Sequence, residues 1–368
     1  MADPNLSNSP DWPGPAADPE AERLVARLAG IDGAVDAGGD WSEPLWSLLA
    51  DAGATRWALP PAAGGPDLDR PALVRQYGRV AEGSLTAAFI LTQHDAAIRR
   101  LVAAGDRGRA ARWLDHLGSG RGLATVGLSQ LTTSKRLGSQ ALRATEQAGG
   151  GYRLDGVMPW VTAAPRAELF VAGAVLADGR QLLVALPADR PGLSVRPPFA
   201  LSALQASCTS EVACDGVPVD PEDVLAGPSE NVMAAPGTAG TGGLETSALA
   251  LGQARAALAA MHDLTPTRPD LLEPLSALSA TWRRLADDLL AAASTQADAP
   301  EPGVVRARAN AFVLDATQAY LTARKGTGFL KSEPAQRWAR QALFFLVWSC
   351  PAPVAQATMR EMAGICEL

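Results

Sequence analysis

The chain carries no basic excess, no paired-cysteine motif, no apolar run long enough to span a bilayer and no leader-like start. Each absence removes a class of function. Its 32 lysines and arginines are outnumbered by 39 acidic residues, a formal net charge of -7, whereas nucleic acid or an anionic membrane is normally met by a basic face. Four cysteines, Cys208, Cys214, Cys350 and Cys366, have neither CxxC nor Cys/His ligand spacing, so they read as reduced, buried thiols. No stretch reaches the roughly 18 uninterrupted apolar residues of a spanning helix, and the N-terminus lacks the basic and apolar regions of a secretory signal. No Ser/His/Asp set is visible, and no histidine follows His262. The stretch from Gly237 to Gly243 is rich in glycine but lacks the Lys-Ser/Thr ending of a phosphate loop, and reads as a linker. The expectation is a soluble, cytoplasmic protein without nucleic-acid or membrane partners.

What is present points to a globular chain with a large core: 368 residues, 47% hydrophobic and 19% charged, more than one typical domain. Residues 1–19, rich in Pro, Asp, Asn and Ser, read as a disordered arm. Residues 20–117 have helical spacing, with Leu24, Val25 and Leu28 on one face, a break at Leu59 to Pro66, and helices over Pro71 to Glu82, Leu85 to Ala104 and Arg107 to Leu117. The texture then changes. Between 118 and 226, short apolar runs such as Leu169 to Leu176 and Gln181 to Leu186 are divided by turn residues, and Ala177-Asp178-Gly179-Arg180 is a hairpin signal. Residues 227–243 read as a linker. From 244 to 368, helical spacing over Leu244 to Met261, Leu271 to Thr295, Val304 to Ala323 and Glu333 to Val347 predicts a C-terminal bundle of long helices.

The middle segment carries the most specific signal. Asp155-Gly156 leads into Pro159-Trp160-Val161-Thr162, followed about fifty residues on by Ala206-Ser207-Cys208-Thr209-Ser210-Glu211-Val212. Together with the order helical, β, helical, this resembles the acyl-CoA dehydrogenase superfamily. The resemblance implies an α+β fold with an N-terminal helical domain, a middle β-barrel or sandwich that binds flavin, and a C-terminal four-helix bundle. It implies FAD as cofactor, with Trp160 beside the isoalloxazine and Thr162 near N5. Val126-Gly127-Leu128-Ser129-Gln130-Leu131 is similar to the family's Ala-x-Thr-Glu-Pro, which implies that Leu128 and Ser129 meet the flavin, Ser129 by a hydroxyl. Ser134 stands where the family's Gly-Ser-Asp meets the pyrophosphate. Arg268 is the nearest counterpart of an Arg-x-x-Phe-Gly motif, and Lys325-Gly326-Thr327-Gly328-Phe329 resembles Gly-Gly-x-Gly-Phe, which implies that the Gly326 backbone approaches a neighbouring subunit's flavin. Glu333 to Ala342 follows Pro-x-x-Arg-x-x-Arg-Asp-Ala, with Gln341 at the Asp. Leu59-Pro60 with Gly64-Gly65 is similar to the family's Val-Pro-Glu-x-x-Gly-Gly turn.

One departure decides the chemistry. Where the family places its glutamate base, this chain has Ser349, between Trp348 and Cys350. Removing an α-proton needs a carboxylate or similar base within hydrogen-bond reach, and serine cannot serve without a partner base. Glu245 lies near the position some relatives use instead, though about three residues off register, and a helix N-terminal acid is its simpler role. His94, in an apolar helix, reads as a satisfied helix histidine, and Cys350 as a buried thiol.

Three readings follow. The first is an FAD-dependent oxidoreductase acting on CH–CH groups of an acyl-CoA or related thioester, with an electron-transfer partner. The second is a monooxygenase of the same superfamily using reduced flavin from a reductase partner. The third is a scaffold that kept the fold without catalysis. The resemblance also implies a homodimer or homotetramer.

Overall fold

The computed structural model describes residues 10–14, 19–105, 109–132, 141–234, 243–348 and 352–365. Five helices come first: α1 (Pro19–Gly38), α2 (Glu43–Asp51), α3 (Arg70–Gly83), α4 (Leu85–Ala104) and α5 (Ala110–Leu117). Their starts are set by side-chain caps. Ser42 accepts from Leu45 N–H at 3.3 Å and Asp69 from Ala72 N–H at 2.7 Å, each with a proline in the first turn, which costs nothing where an N–H would be orphaned. Ser84 both ends α3, donating its N–H to Val80 O, and caps α4 through Ala87 N–H at 3.2 Å. One residue thus makes the sharp corner between the two helices.

Eight strands follow: β1 (Ala124–Gly127), β2 (Arg143–Glu146), β3 (Tyr152–Val161), β4 (Leu169–Val175), β5 (Gln181–Pro187), β6 (Leu193–Val195), β7 (Ser210–Val219) and β8 (Val224–Ser229). They form one mixed sheet in the order β6-β7-β3-β2-β4-β5-β8, with β1 parallel to β4. The predicted hairpin joins β4 to β5 in antiparallel register, Gly179 taking a φ of +89° in the turn. Apart from Gln181 at the start of β5, both strands are apolar along their length because both faces are covered. Leu169, Val171, Leu183 and Ala185 point to a core shared with α4 and α5, while Phe170, Ala172, Leu182, Val184 and Leu186 join the main core.

The C-terminal helices are α6 (Leu244–His262), α7 (Leu272–Ala293), α8 (Pro302–Arg324), α9 (Pro334–Ala342) and α10 (Ala352–Met362). α6 is their centre, packed on α3, α7 and α8. It crosses α3 so closely that a Cβ on Gly252 would stand 2.0 Å from Gly78 O. Trp282, fully buried on α7, donates its indole N–H to Leu251 O at 2.8 Å, which satisfies the one polar atom of a large apolar group.

The structure departs from the expected organisation in three places. The arm expected over 1–19 is not wholly disordered: Trp12 is buried among the helices, its side chain finding a socket that local composition does not reveal. Residues 227–234, expected in a linker, are structured, since β8 runs to Ser229 and Val232 is buried in the same cluster as Leu225; residues 235–242, with most of the glycine-rich stretch, lie outside the described residues. The helix expected to Val347 ends at Ala342, and Leu343–Leu346 tightens to a 3-10 turn.

Candidate functional site

Strand ends β1 and β3 bring the first group of expected residues together. Thr125, fully buried on β1, donates its hydroxyl to Thr162 O at 2.8 Å. That bond ties the end of β3, with Trp160 and Thr162, to the turn after β1, with Leu128 and Ser129. Behind β1, His94 of α4 accepts Ala124 N–H at Nδ1 (3.1 Å) and donates from Nε2 to Thr55 O at 3.0 Å. Burial lowers its pKa to about 4, so it is the neutral, satisfied histidine expected and fixes β1 against α4.

Within this group, Leu128 and Thr162 are buried, while Trp160 is 49% exposed and its indole rests on Phe199, ring centroids 4.7 Å apart. The Ser129 hydroxyl is buried without a hydrogen-bond partner among the described residues, as is Oε1 of Gln130 beside it, whose amide donates to Gly127 O and Gly173 O. Unsatisfied buried polar atoms cost about 1–3 kcal/mol each and call for an explanation. Backbone strain gathers here too. Ala163, Leu204 and Cys208 have φ of 55°, 57° and 46°, and Ala163 N–H donates to Ser207 O at 2.8 Å. Left-handed non-glycine residues persist only where surroundings over-determine them, and they collect at functional sites.

These residues suit the flavin expected from the sequence. The half-exposed indole offers a flat apolar face and the Ser129 hydroxyl a free polar atom among the described residues. Ser134, expected at the pyrophosphate, lies outside the described residues.

A second group forms at the junction of α8 with the 3-10 turn Lys325–Phe329. Arg268 grips Asp270 through two bonds of 2.8 and 2.6 Å and donates to Ala323 O at the end of α8. Those hydrogen bonds and the Asp270 charge raise its pKa. Gly326 is exposed, and a Cβ there would meet nothing within 4 Å, so no contact inside this chain demands glycine. Lys325 does strain the turn, with φ 54° and ψ -147°, a region almost reserved for glycine. The first glycine of the resembled motif is therefore missed on conformational grounds.

Ser349 and Cys350 lie outside the described residues. The approach to that position is firmly held: Arg306 of α8 donates to Trp348 O at 2.7 Å and Asn310 to Phe345 O at 2.9 Å. The Trp348 and Phe344 rings stack at 5.0 Å, and Phe89 of α4 meets both edge-on at 4.8 and 4.9 Å.

Glu245 is not a free base. Its carboxylate is paired with Arg70 at 2.8 Å and Arg99 at 3.2 Å, and only 12% of its side chain is exposed. Burial alone would raise its pKa, but the two guanidiniums outweigh it and hold the carboxyl below its usual range. Sequence reading missed the cluster it belongs to. Arg99 Nη1 also donates to the Tyr77 hydroxyl at 3.1 Å, which donates to Asp95 Oδ2 at 2.6 Å, and Asp95 Oδ1 has no partner. Burial pushes Asp95 up to about 7 against the pull of Arg99 and Tyr77. The available signal was Asp95 and Arg99 four apart in a largely apolar helix.

Comparison with known proteins gives the following. No family model matches the chain. It is 30% identical over 179 residues to a probable acyl-CoA dehydrogenase of Bacillus subtilis, covering 47% of each protein. It is 27% identical over 277 residues to the benzylmalonyl-CoA dehydrogenase of Aromatoleum aromaticum, covering 72% of this chain and 70% of that one. The match thus spans about half the length of the first relative and somewhat over two thirds of the second. Among solved structures, butyryl-CoA dehydrogenase from Megasphaera elsdenii superposes with a TM-score of 0.81 at 17% identity, covering 95% of this chain and all of that one. Dibenzothiophene monooxygenase from Paenibacillus sp. A11-2 superposes with a TM-score of 0.74 at 15% identity, covering 95% and 97%.

Proposed function

The chain belongs to the acyl-CoA dehydrogenase superfamily, and we propose from that premise that it is an FAD-dependent oxidoreductase acting on an acyl thioester or a related substrate. One observation carries the flavin reading: the buried hydroxyl of Ser129, without a partner among the described residues, on the turn after β1 that Thr125 ties to the end of β3 and its half-exposed Trp160. Leu128, Ser129, Trp160 and Thr162 would hold the ring end of the cofactor. Ser134, by the resemblance, would meet its phosphates. Arg268 and Gly326 serve the site of a neighbouring subunit, and the exposed Phe329, Leu330 and Leu272 (78%, 55% and 49%) suit burial against a second copy. Bound flavin supplies a two-electron acceptor at that cleft. This chain's part would be to offer the Trp160 indole to the ring and the Ser129 hydroxyl to its polar edge, and to exclude water with the Phe89, Phe344 and Trp348 platform before position 349. The reading implies an electron-transfer protein as partner and a soluble, cytoplasmic setting; among the described residues no helix is long and apolar enough to cross a membrane.

A second reading, a monooxygenase fed with reduced flavin by a reductase, is favoured by one specific feature. Neither serine at position 349 nor the doubly paired Glu245 is equipped to remove an α-proton. Anaerobic addition of acyl-CoA thioesters of several chain lengths to the flavin-loaded protein separates the two. Bleaching of the flavin band supports the dehydrogenase reading. An unchanged band, with a hydroxylated product when reduced flavin and oxygen are supplied, supports the monooxygenase. Failure to bind either flavin form sinks both and leaves the scaffold.

A further inference from the structure

Trp12 is 4% exposed although it stands in a stretch of prolines and aspartates. Three helices build its socket. Gly78 of α3 is the floor: a Cβ there would stand 2.1 Å from Cζ2 of the indole, so only glycine leaves room. Trp282 of α7 meets the ring edge-on, centroids 5.1 Å apart at 76°. Glu82 of α3 accepts the indole N–H at 2.5 Å. Arg255 of α6 grips the backbone, Nε donating to Pro10 O at 2.6 Å and Nη2 to the Asp11 carboxylate at 3.0 Å, and it pairs with Glu82 as well.

Such an arrangement has the anatomy of a bound peptide. A rigid aromatic anchor fills a pocket, its one polar atom finds a buried acceptor, and a guanidinium reads the backbone and acid beside it. All the contacts come from a short stretch with no helix or strand of its own. The socket also lies where α3 and α6 touch backbones, at Gly78 and Gly252, so its occupant bridges the N-terminal helices and the C-terminal ones. We propose that Pro10–Gly14 is a detachable strap, a peptide ligand the chain supplies to its own socket across α3, α6 and α7, and that the emptied socket accepts the same pentapeptide in trans. No flavin is required for this.

The test uses the full chain carrying Trp12→Ala and a fluorescein-labelled Pro-Asp-Trp-Pro-Gly peptide, followed by fluorescence anisotropy. The expected result is saturable binding to the variant, binding to the unsubstituted chain at least about tenfold weaker because its socket is filled, and loss of binding when Gly78→Ala is added or the peptide's Trp is replaced by Ala. No binding to the folded Trp12→Ala chain, or equal binding to both chains, overturns the proposal. Should Trp12→Ala not fold, the unsubstituted chain labelled with 5-fluorotryptophan gives the answer, with the Trp12 fluorine signal identified by its loss in Trp12→Phe. A signal shielded from a paramagnetic agent and exchanging with a second, accessible environment is expected. One fully accessible, or shielded without exchange, overturns the strap.

Discussion

Replacing Glu245 with glutamine separates a structural anion from a base. In the structure this carboxylate joins three helices, α6 to Arg70 of α3 and Arg99 of α4. Breaking a buried ion pair costs about 3–5 kcal/mol, because the partner is left uncompensated. Arg70 is 36% exposed, so its share is screened and worth about 1 kcal/mol or less. Arg99 keeps the Tyr77 hydroxyl, and glutamine keeps one acceptor. These considerations place Glu245→Gln at the lower end, about 3 kcal/mol less stable. Urea unfolding at about pH 7 reads this as a lower midpoint with an unchanged slope. The sign with pH follows from the lowered carboxyl pKa: the stabilisation is present above the ordinary carboxylate range and is lost as pH falls through the folded-state value. Wild type and variant therefore converge in acid. Flavin reduction by an acyl thioester, where it occurs, stays within about twofold of wild type. A variant with unchanged stability and a reduction rate down by about 10²-fold or more, the signature of a lost general base, refutes the reasoning.

Other expectations follow from single contacts. Ser129→Ala removes the hydroxyl assigned to flavin and weakens FAD binding by about 1 kcal/mol, roughly fivefold in Kd; because that hydroxyl is partnerless in the bare protein, unfolding without FAD shows no loss. Equal affinity for FAD would remove Ser129 from the site. Lys325→Gly relieves a positive φ and raises stability by about 1 kcal/mol, read by calorimetry; a destabilised variant contradicts the strain. Asp95, buried and pushed up to about 7, contributes stability that is present in acid and lost as pH rises through about 7. Asp95→Asn flattens that decline between about pH 4 and about pH 7, and an unchanged profile means another group titrates.

Much of the architecture was legible because it rests on local signals. Periodicity marked α3, α4 and α6 to within a residue or two, and the Ala177 to Arg180 turn marked the β4–β5 hairpin. The Trp160–Thr162 element was legible because several uncommon residues occur at fixed offsets. Other features are products of distance. Trp12 sits in a segment whose composition favours disorder, and the notch that receives it, Gly78, is far along the chain and inside a helix, where glycine looks merely unfavourable. The role of Glu245 depends on two arginines supplied by other helices, so its acid alone suggested a dipole cap or a base. Arg268 is tied to Ala323 O at the end of α8, just before the turn that carries Gly326, and only the resemblance spoke for either as a flavin residue.

Titration of the purified, flavin-free chain with FAD, read by quenching of tryptophan fluorescence and by a parallel titration of Trp160→Ala, bears most directly on the central claim. Saturation at one FAD per chain, with weaker binding and reduced quenching in the variant, is the predicted result. No saturable binding, or identical curves for the two proteins, contradicts a flavin resting on Trp160.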